Sequence, residues 1–150
     1  MGHKSHDTHK PLVIKYYGVD QPPVYQTKGA AGFDIAANEE VYVHPRKTVL
    51  VSTGLFLEIP PGYEVQIRPR SGFSIKHDLL IKNAPGTIDS DYRGEIKIIL
   101  YNYHKSKSYL IRRGERIAQG VLSKVEQAIF VLDQNHSSTD RDNKGFGSTG

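Results

Sequence analysis

The chain has 150 residues, 20 Lys and Arg against 16 Asp and Glu, a net charge of +4 and a pI near 9.2, which fits one domain with a mild leaning toward anions. That surplus suits a nucleic acid or a small phosphate ester without choosing between them, and the basic residues are scattered rather than gathered into an arm. Cysteine is absent, which excludes a disulfide framework, a thiolate zinc site and a thiol nucleophile; apolar runs fall far short of the roughly 20 residues of a membrane span.

The chain starts MGHKSHDTHK, which lacks the apolar stretch of a secretory signal, so a cytoplasmic protein is expected. His3, His6 and His9 stand among polar residues, and residues 1–11 read as a disordered, His-rich start rather than a metal site. Apolar residues then recur with a period near two in LVIKYY (12–17), VLVSTGLFLEI (49–59), YEVQIRP (63–69) and EIKIILYNY (95–103), the pattern of strands. AGFDIAAN places Asp34 between Phe33 and Ile35, pointing away from both on a strand. Pro and Gly punctuate these runs at QPPV, IPPGY, APG and RRGE, as in a sandwich or barrel, so residues 12–134 are expected to form an all-β core. At most one short helix is expected, near SGFSIKHD (71–78), with Ser71 as its cap. AIFVLDQ (128–134) reads as the last strand. Residues 135–150 then read as a flexible linker and tail in which Phe146 is the one large ring among Gly, Ser and Thr. Extended at ~3.3 Å per residue, the linker reaches about 35 Å, so the tail can serve a distant site, even on another subunit.

Three stretches carry candidate chemistry. NAPGTIDSDYRGEIKIILYN (83–102) reads as a hairpin with polar groups at one end; Asp89 beside Ile88 is placed for partial desolvation and a base role, while Asp91 suits a turn cap. In IRPRSGFS, Pro69 ends a strand and Arg70, Ser71 and Gly72 combine a guanidinium, a hydroxyl and free backbone N–H groups, the makings of an anion site. In RRGERIAQGV the chain turns at Gly114 into a strand on which Gln119, among apolar neighbours, must find hydrogen-bond partners. A strand-to-helix corner and a backbone-bonded amide explain the last two equally well on residue type alone. The GFGSTG run lacks the Lys of a phosphate-binding P-loop.

In this order, AGFDIAA, PRSGFS, NAPGTIDSDYRG, RRGERIAQG and RDNKGFGSTG resemble the five motifs of the trimeric dUTPases, from about Leu12 to Gly150. The resemblance implies a jelly-roll-like fold, a homotrimer with sites shared between subunits, and Mg²⁺-assisted hydrolysis of dUTP to dUMP and pyrophosphate, in the cytoplasm or in the nucleus of a eukaryotic or viral host. It would thereby limit uracil in DNA and supply dUMP for dTMP synthesis. By matching position, Asp89 resembles the general base that orients a water toward the α-phosphorus. Asn83, Gly86 and Ile88 resemble the uracil reader, and Tyr92 the ring that packs under deoxyribose. Arg70, Ser71, Gly72 and Gln119 resemble the phosphate-binding residues. Asp34 matches an acid near the metal's water shell, with Mg²⁺ held mainly by the substrate's phosphates. In the tail, Phe146 resembles the ring that stacks on uracil, with Arg141, Gly147, Ser148 and Thr149 closing over the γ-phosphate. The chain departs from the family pattern at Asp142 and Lys144, where Gly is common, and at Gly120, where a bulky apolar residue is common.

Rival expectations are a dCTP deaminase of the same fold, a non-catalytic dUTP-binding regulator, and a basic oligonucleotide-binding barrel suggested by YNYHKSKSY (101–109). Asp89 and Tyr92 stand where the deaminase uses a Glu, the complete tail disfavours the regulator, and no specific nucleic-acid binding is expected.

Overall fold

A computed structural model describes residues 10–147; the three early histidines, Ser148, Thr149 and Gly150 lie outside them. Eleven strands and one helix are found among the described residues. In chain order they are β1 (Lys15–Tyr17), β2 (Gly32–Ala36), β3 (Val41–Val43), β4 (Thr48–Ser52), β5 (Phe56–Glu58), β6 (Tyr63–Arg68), α1 (Ser71–Lys76), β7 (Leu79–Ile81), β8 (Gly86–Ile88), β9 (Lys97–Asn102), β10 (Tyr109–Ile111) and β11 (Arg116–Lys124).

Every strand pairing is antiparallel, and the strands form a jelly-roll-like all-β fold. The largest sheet runs β2-β11-β6-β8; β4-β9-β7 forms a second, and β1-β5 and β3-β10 are two-stranded. Alternation does the sorting. In β6 Val65 and Ile67 turn inward, and in β9 Ile98 and Leu100 do so, all four buried. Ile96, Ile111 and Ile117 complete a core in which each fully buried aliphatic side chain contributes about 1.5–3 kcal/mol. Asn102 ends β9 inside that core with its polar atoms satisfied. Its amide donates to the carbonyls of Val43 and Lys107, both at 2.8 Å, and its oxygen accepts from His104 N–H at 2.9 Å.

Four expectations are revised. The run 49–59 is two strands, because the chain breaks at Gly54, whose φ of +69° places it in the left-handed region. The stretch 83–102 is not a hairpin: β8 pairs with β6 and β9 with β4 and β7, so residues 89–96 cross between two sheets. Ser71 is the first helical residue rather than the cap; Arg70 holds that position in an extended conformation and makes no side-chain capping bond. The helix is held by packing instead, with Phe73 buried against His77 and Tyr109. Last, 128–134 forms no strand, since no edge among the described residues pairs with it.

Candidate active site

The first cluster forms where β6 runs into α1. β11 lies between β2 and β6, so Gln119 stands opposite both Asp34 and Arg68. Pro69 cannot continue the ladder, and the chain turns there into Arg70 and the helix. Arg70 Nε donates to Asp34 Oδ1 at 2.8 Å, and Arg116 Nη1 donates to Asp34 Oδ2 at 3.2 Å. Arg70 Nη1 also reaches the Arg116 carbonyl at 3.4 Å. Gln119 Nε2 donates to the Pro69 carbonyl at 2.9 Å, closing the corner from the other side. A β-carbon on Gly32 would fall 2.2 Å from Gln119 Oε1, so glycine is what lets the amide lie across β2. Arg70 is thus fixed by one carboxylate and one amide-anchored turn, with Ser71 and Gly72 exposed beyond it. Arg116 escaped the sequence reading because only strand register brings it to Asp34, 82 positions away.

The second cluster lies beyond β8. A β-carbon on Gly86 would sit 3.0 Å from Asn83 Nδ2 and 3.4 Å from Ile67 Cβ, so the Asn83 amide is folded tightly over this backbone. Ile88 is half-buried and Asp89 is exposed; the desolvation expected of Asp89 is absent in the lone chain because the strand ends just before it. The following turn is closed by Tyr92 N–H to the Asp89 carbonyl at 3.1 Å and by Arg93 Nη1 to the Ser90 carbonyl at 2.6 Å. Tyr92 Oη donates to the Glu95 carbonyl at 2.8 Å. Ile88, Asp89, Tyr92 and Lys97 line a cleft of about 230 Å³. On the other side Asp89 borders a wider hollow of about 740 Å³ with Glu64 and Asp91.

The two clusters are not brought together within one chain. Val65 pairs with Ile88 and Ile67 with Gly86, so Asp89 falls at the Glu64 end of β6, while Arg70 follows its other end. Six positions of extended chain, at about 3.3 Å each, separate these ends by roughly 20 Å.

The C-terminal segment keeps clear of the body. Val125 N–H bonds the Gly62 carbonyl at 2.9 Å, and beyond it Ile129, Phe130, Val131 and Leu132 are 91%, 93%, 80% and 95% exposed. Arg141 is occupied in its own turn, its Nε donating to the Lys144 carbonyl at 2.7 Å and its carbonyl accepting from Lys144 N–H at 3.0 Å. Phe146 is fully exposed, and Gly147 has a φ of +84°. Asp142 has a φ of +47°, the left-handed conformation that glycine adopts freely and Asp tolerates, and Thr139 Oγ1 accepts its N–H at 3.0 Å.

Among the described residues no group of three or more His, Asp or Glu is gathered to hold a metal alone. Both Asp34 oxygens already accept from guanidinium groups, so a hard cation fits here through water rather than by direct replacement of those bonds.

A family model described as dUTPase matches residues 21–150. A deoxyuridine 5'-triphosphate nucleotidohydrolase of Nautilia profundicola is 53% identical over 85% of this chain and 89% of its own length. One from Fusobacterium nucleatum is 49% identical over 92% and 94% of the two chains. Among solved structures, the Staphylococcus bacteriophage 80alpha dUTPase with dUPNHPP superposes with a TM-score of 0.85 at 28% identity, covering 92% of this chain and 98% of that one.

Proposed function

The chain belongs to the dUTPase family, and from that premise we propose how its residues divide the hydrolysis of dUTP to dUMP and pyrophosphate between copies of the chain. The observation that carries the division is the roughly 20 Å along β6 between Asp89 and the Arg70 corner. A phosphate held by Arg70 and a water held by Asp89 cannot meet inside one molecule. They meet when the Asp89 end of one copy faces the Arg70 end of another, and a homotrimer with shared sites closes that arrangement. The exposed run 129–132 supports it, since four large apolar side chains in water call for cover by a neighbour.

In this reading Asn83 and the tightly folded backbone at Gly86, with Ile88 beside them, receive the uracil edge. Tyr92 lies under the sugar, where a 2′-hydroxyl would clash and lose its water. Arg70, with the exposed Ser71 and Gly72 at the start of α1, holds phosphate oxygens; Gln119 serves by securing the carbonyl that aims Arg70 and reaches the α-phosphate region. Asp89 Oδ accepts the proton of the attacking water as its oxygen approaches the α-phosphorus, and pyrophosphate leaves. Mg²⁺ carried in with the triphosphate would neutralise part of its charge, and Asp34 would contact it through water. Residues 135–150 act as a lid: Phe146 stacks on uracil, and Arg141, Gly147, Ser148 and Thr149 close over the γ-phosphate. Stacking worth about 1–3 kcal/mol offsets part of the ordering cost of this glycine-rich end. Residues 12–134 then form the catalytic core, and the enzyme works in the cytoplasm.

The test is complementation. Asp89→Asn and Arg70→Ala each abolish turnover alone. Mixed assemblies purified from co-expression with two tags should recover about one active site in three, because a three-membered ring of two kinds has a single boundary of the right order. No recovery would mean that each copy builds its own site.

A further inference from the structure

Tyr92 does not stand freely in its cleft. Its hydroxyl is spent on the Glu95 carbonyl at 2.8 Å, and its ring folds back over Gly94, where a β-carbon would come 2.5 Å from Oη. The ring's height above the cleft floor is therefore set by the main chain of Glu95. That main chain is itself pinned through the Glu95 side chain, whose Oε2 accepts from Gly54 N–H at 2.8 Å and from the Ser52 hydroxyl. Ser52 is in turn located by its own N–H, which donates to Glu39 Oε2 at 2.7 Å. The next residues complete the joint: Ile96 N–H bonds the Leu55 carbonyl at 2.9 Å, and Thr53 Oγ1 donates to the Ile96 carbonyl at 2.5 Å. The corner Ser52–Leu55 is thus a rigid footing for the crossover 89–96.

We infer that Ser52 and Glu95 are specificity-positioning residues, which hold the Tyr92 ring close enough to the substrate's sugar to reject ribose. The inference rests on the reading of Tyr92 as the residue under deoxyribose. The physical logic is that a 2′-hydroxyl is excluded only by a surface that does not yield, and a ring on a flexible crossover would move aside by the fraction of an ångström required. Glu95 borders the cleft, but its carboxylate is taken up by the Ser52 hydroxyl and Gly54 N–H. Its part is to keep the crossover from rocking about the 52–55 corner, a role that any acceptor at the Oε2 position can fill.

The experiment measures kcat/KM for dUTP and for UTP with Mg²⁺ in the wild type and in Ser52→Ala, Glu95→Ala, Glu95→Gln and Tyr92→Ala. Tyr92→Ala, which removes the ring, should collapse the dUTP-to-UTP ratio. Glu95→Ala and Ser52→Ala should lower it on the order of tenfold, through a higher KM for dUTP and easier entry of UTP more than through kcat. Glu95→Gln, whose amide oxygen accepts both bonds, should restore most of the ratio. Ser52→Ala removes a single hydroxyl and keeps the test open should Glu95→Ala fail to fold. An unchanged ratio in Ser52→Ala and Glu95→Ala beside a collapsed one in Tyr92→Ala overturns the role of Ser52 and Glu95. An unchanged ratio in Tyr92→Ala overturns the reading of Tyr92 on which that role rests.

Discussion

Phe33 and Gly120 face each other across the β2–β11 pair, and the Phe33 ring fills the space a side chain at 120 would need: a β-carbon there would lie 2.5 Å from Phe33 Cζ. The bulk at this point of the sheet comes from Phe33 on the opposite strand rather than from position 120. Phe33 is 5% exposed and meets Tyr25 edge-on at 5.9 Å, so it has no room to retreat. Gly120→Ala should therefore destabilise the protein by about 1–3 kcal/mol through overpacking. Phe33→Leu should cost a similar amount, and the double variant should cost clearly less than the sum, by about 1 kcal/mol or more. Urea midpoints of the four proteins check this, and simple additivity would refute the pairing.

Arg116 shares Asp34 with Arg70. Arg116→Ala leaves one Asp34 oxygen unclaimed, and the carboxylate that anchors Arg70 can then turn about its single remaining guanidinium bond. We expect kcat/KM for dUTP to fall on the order of tenfold, equivalent to about 1.4 kcal/mol, with a small change in melting temperature. Steady-state kinetics beside a thermal melt separate the two.

Glu95 makes stability depend on acid. The Ser52 hydroxyl, then Gly54 N–H, with help from the Lys97 charge and against the effect of burial, hold its carboxyl below the usual 4.5. A fold that lowers this pKa binds the proton less readily than the unfolded chain does. The contribution is therefore complete above the unfolded value and is lost as pH falls through the lower folded one. Glu39, which accepts the Ser52 N–H, is the nearby second carboxylate. Between about pH 5 and pH 3 the wild type should lose more melting temperature than Glu95→Gln, which has no proton to take up there. Parallel slopes would show that the carboxylate contributes nothing.

The run Ile129–Leu132 is exposed, with no cover among the described residues. Phe130→Asp with Leu132→Asp should shift the protein to a monomer in sedimentation and abolish turnover, while the fold of residues 12–124 survives in circular dichroism. Deleting residues 141–150 should do the opposite, keeping the assembly and removing most of the turnover. Full activity after that deletion would end the lid reading.

Local pattern made much of this legible. Alternation marks β6 and β9, Gly114 turns the chain toward β11 with a φ of +87°, and Pro69 ends a strand where the sequence says it should. What escaped was decided by partners far along the chain. Residues 83–102 look like a hairpin because the turn signals are local, yet β8 finds β6 and β9 finds β4 and β7, a choice of register that short-range pattern does not encode. The candidate residues stand in visible motifs, but their separation along β6 appears only once β8 is laid against it. Ser52 and Glu95 are 43 positions apart, and nothing in either neighbourhood announces their bond. The stretch 128–134 has the composition of a strand, but composition does not record whether an edge lies within reach to pair with it.

That stretch also alters what stability means for this protein. A lone chain leaves a phenylalanine and three aliphatic side chains in water, so in the homotrimer proposed above dilution would work against the fold and mass action for it. Its melting temperature would then belong to a solution of stated concentration, and newly made chains would pass through an adhesive interval that lasts until they meet one another.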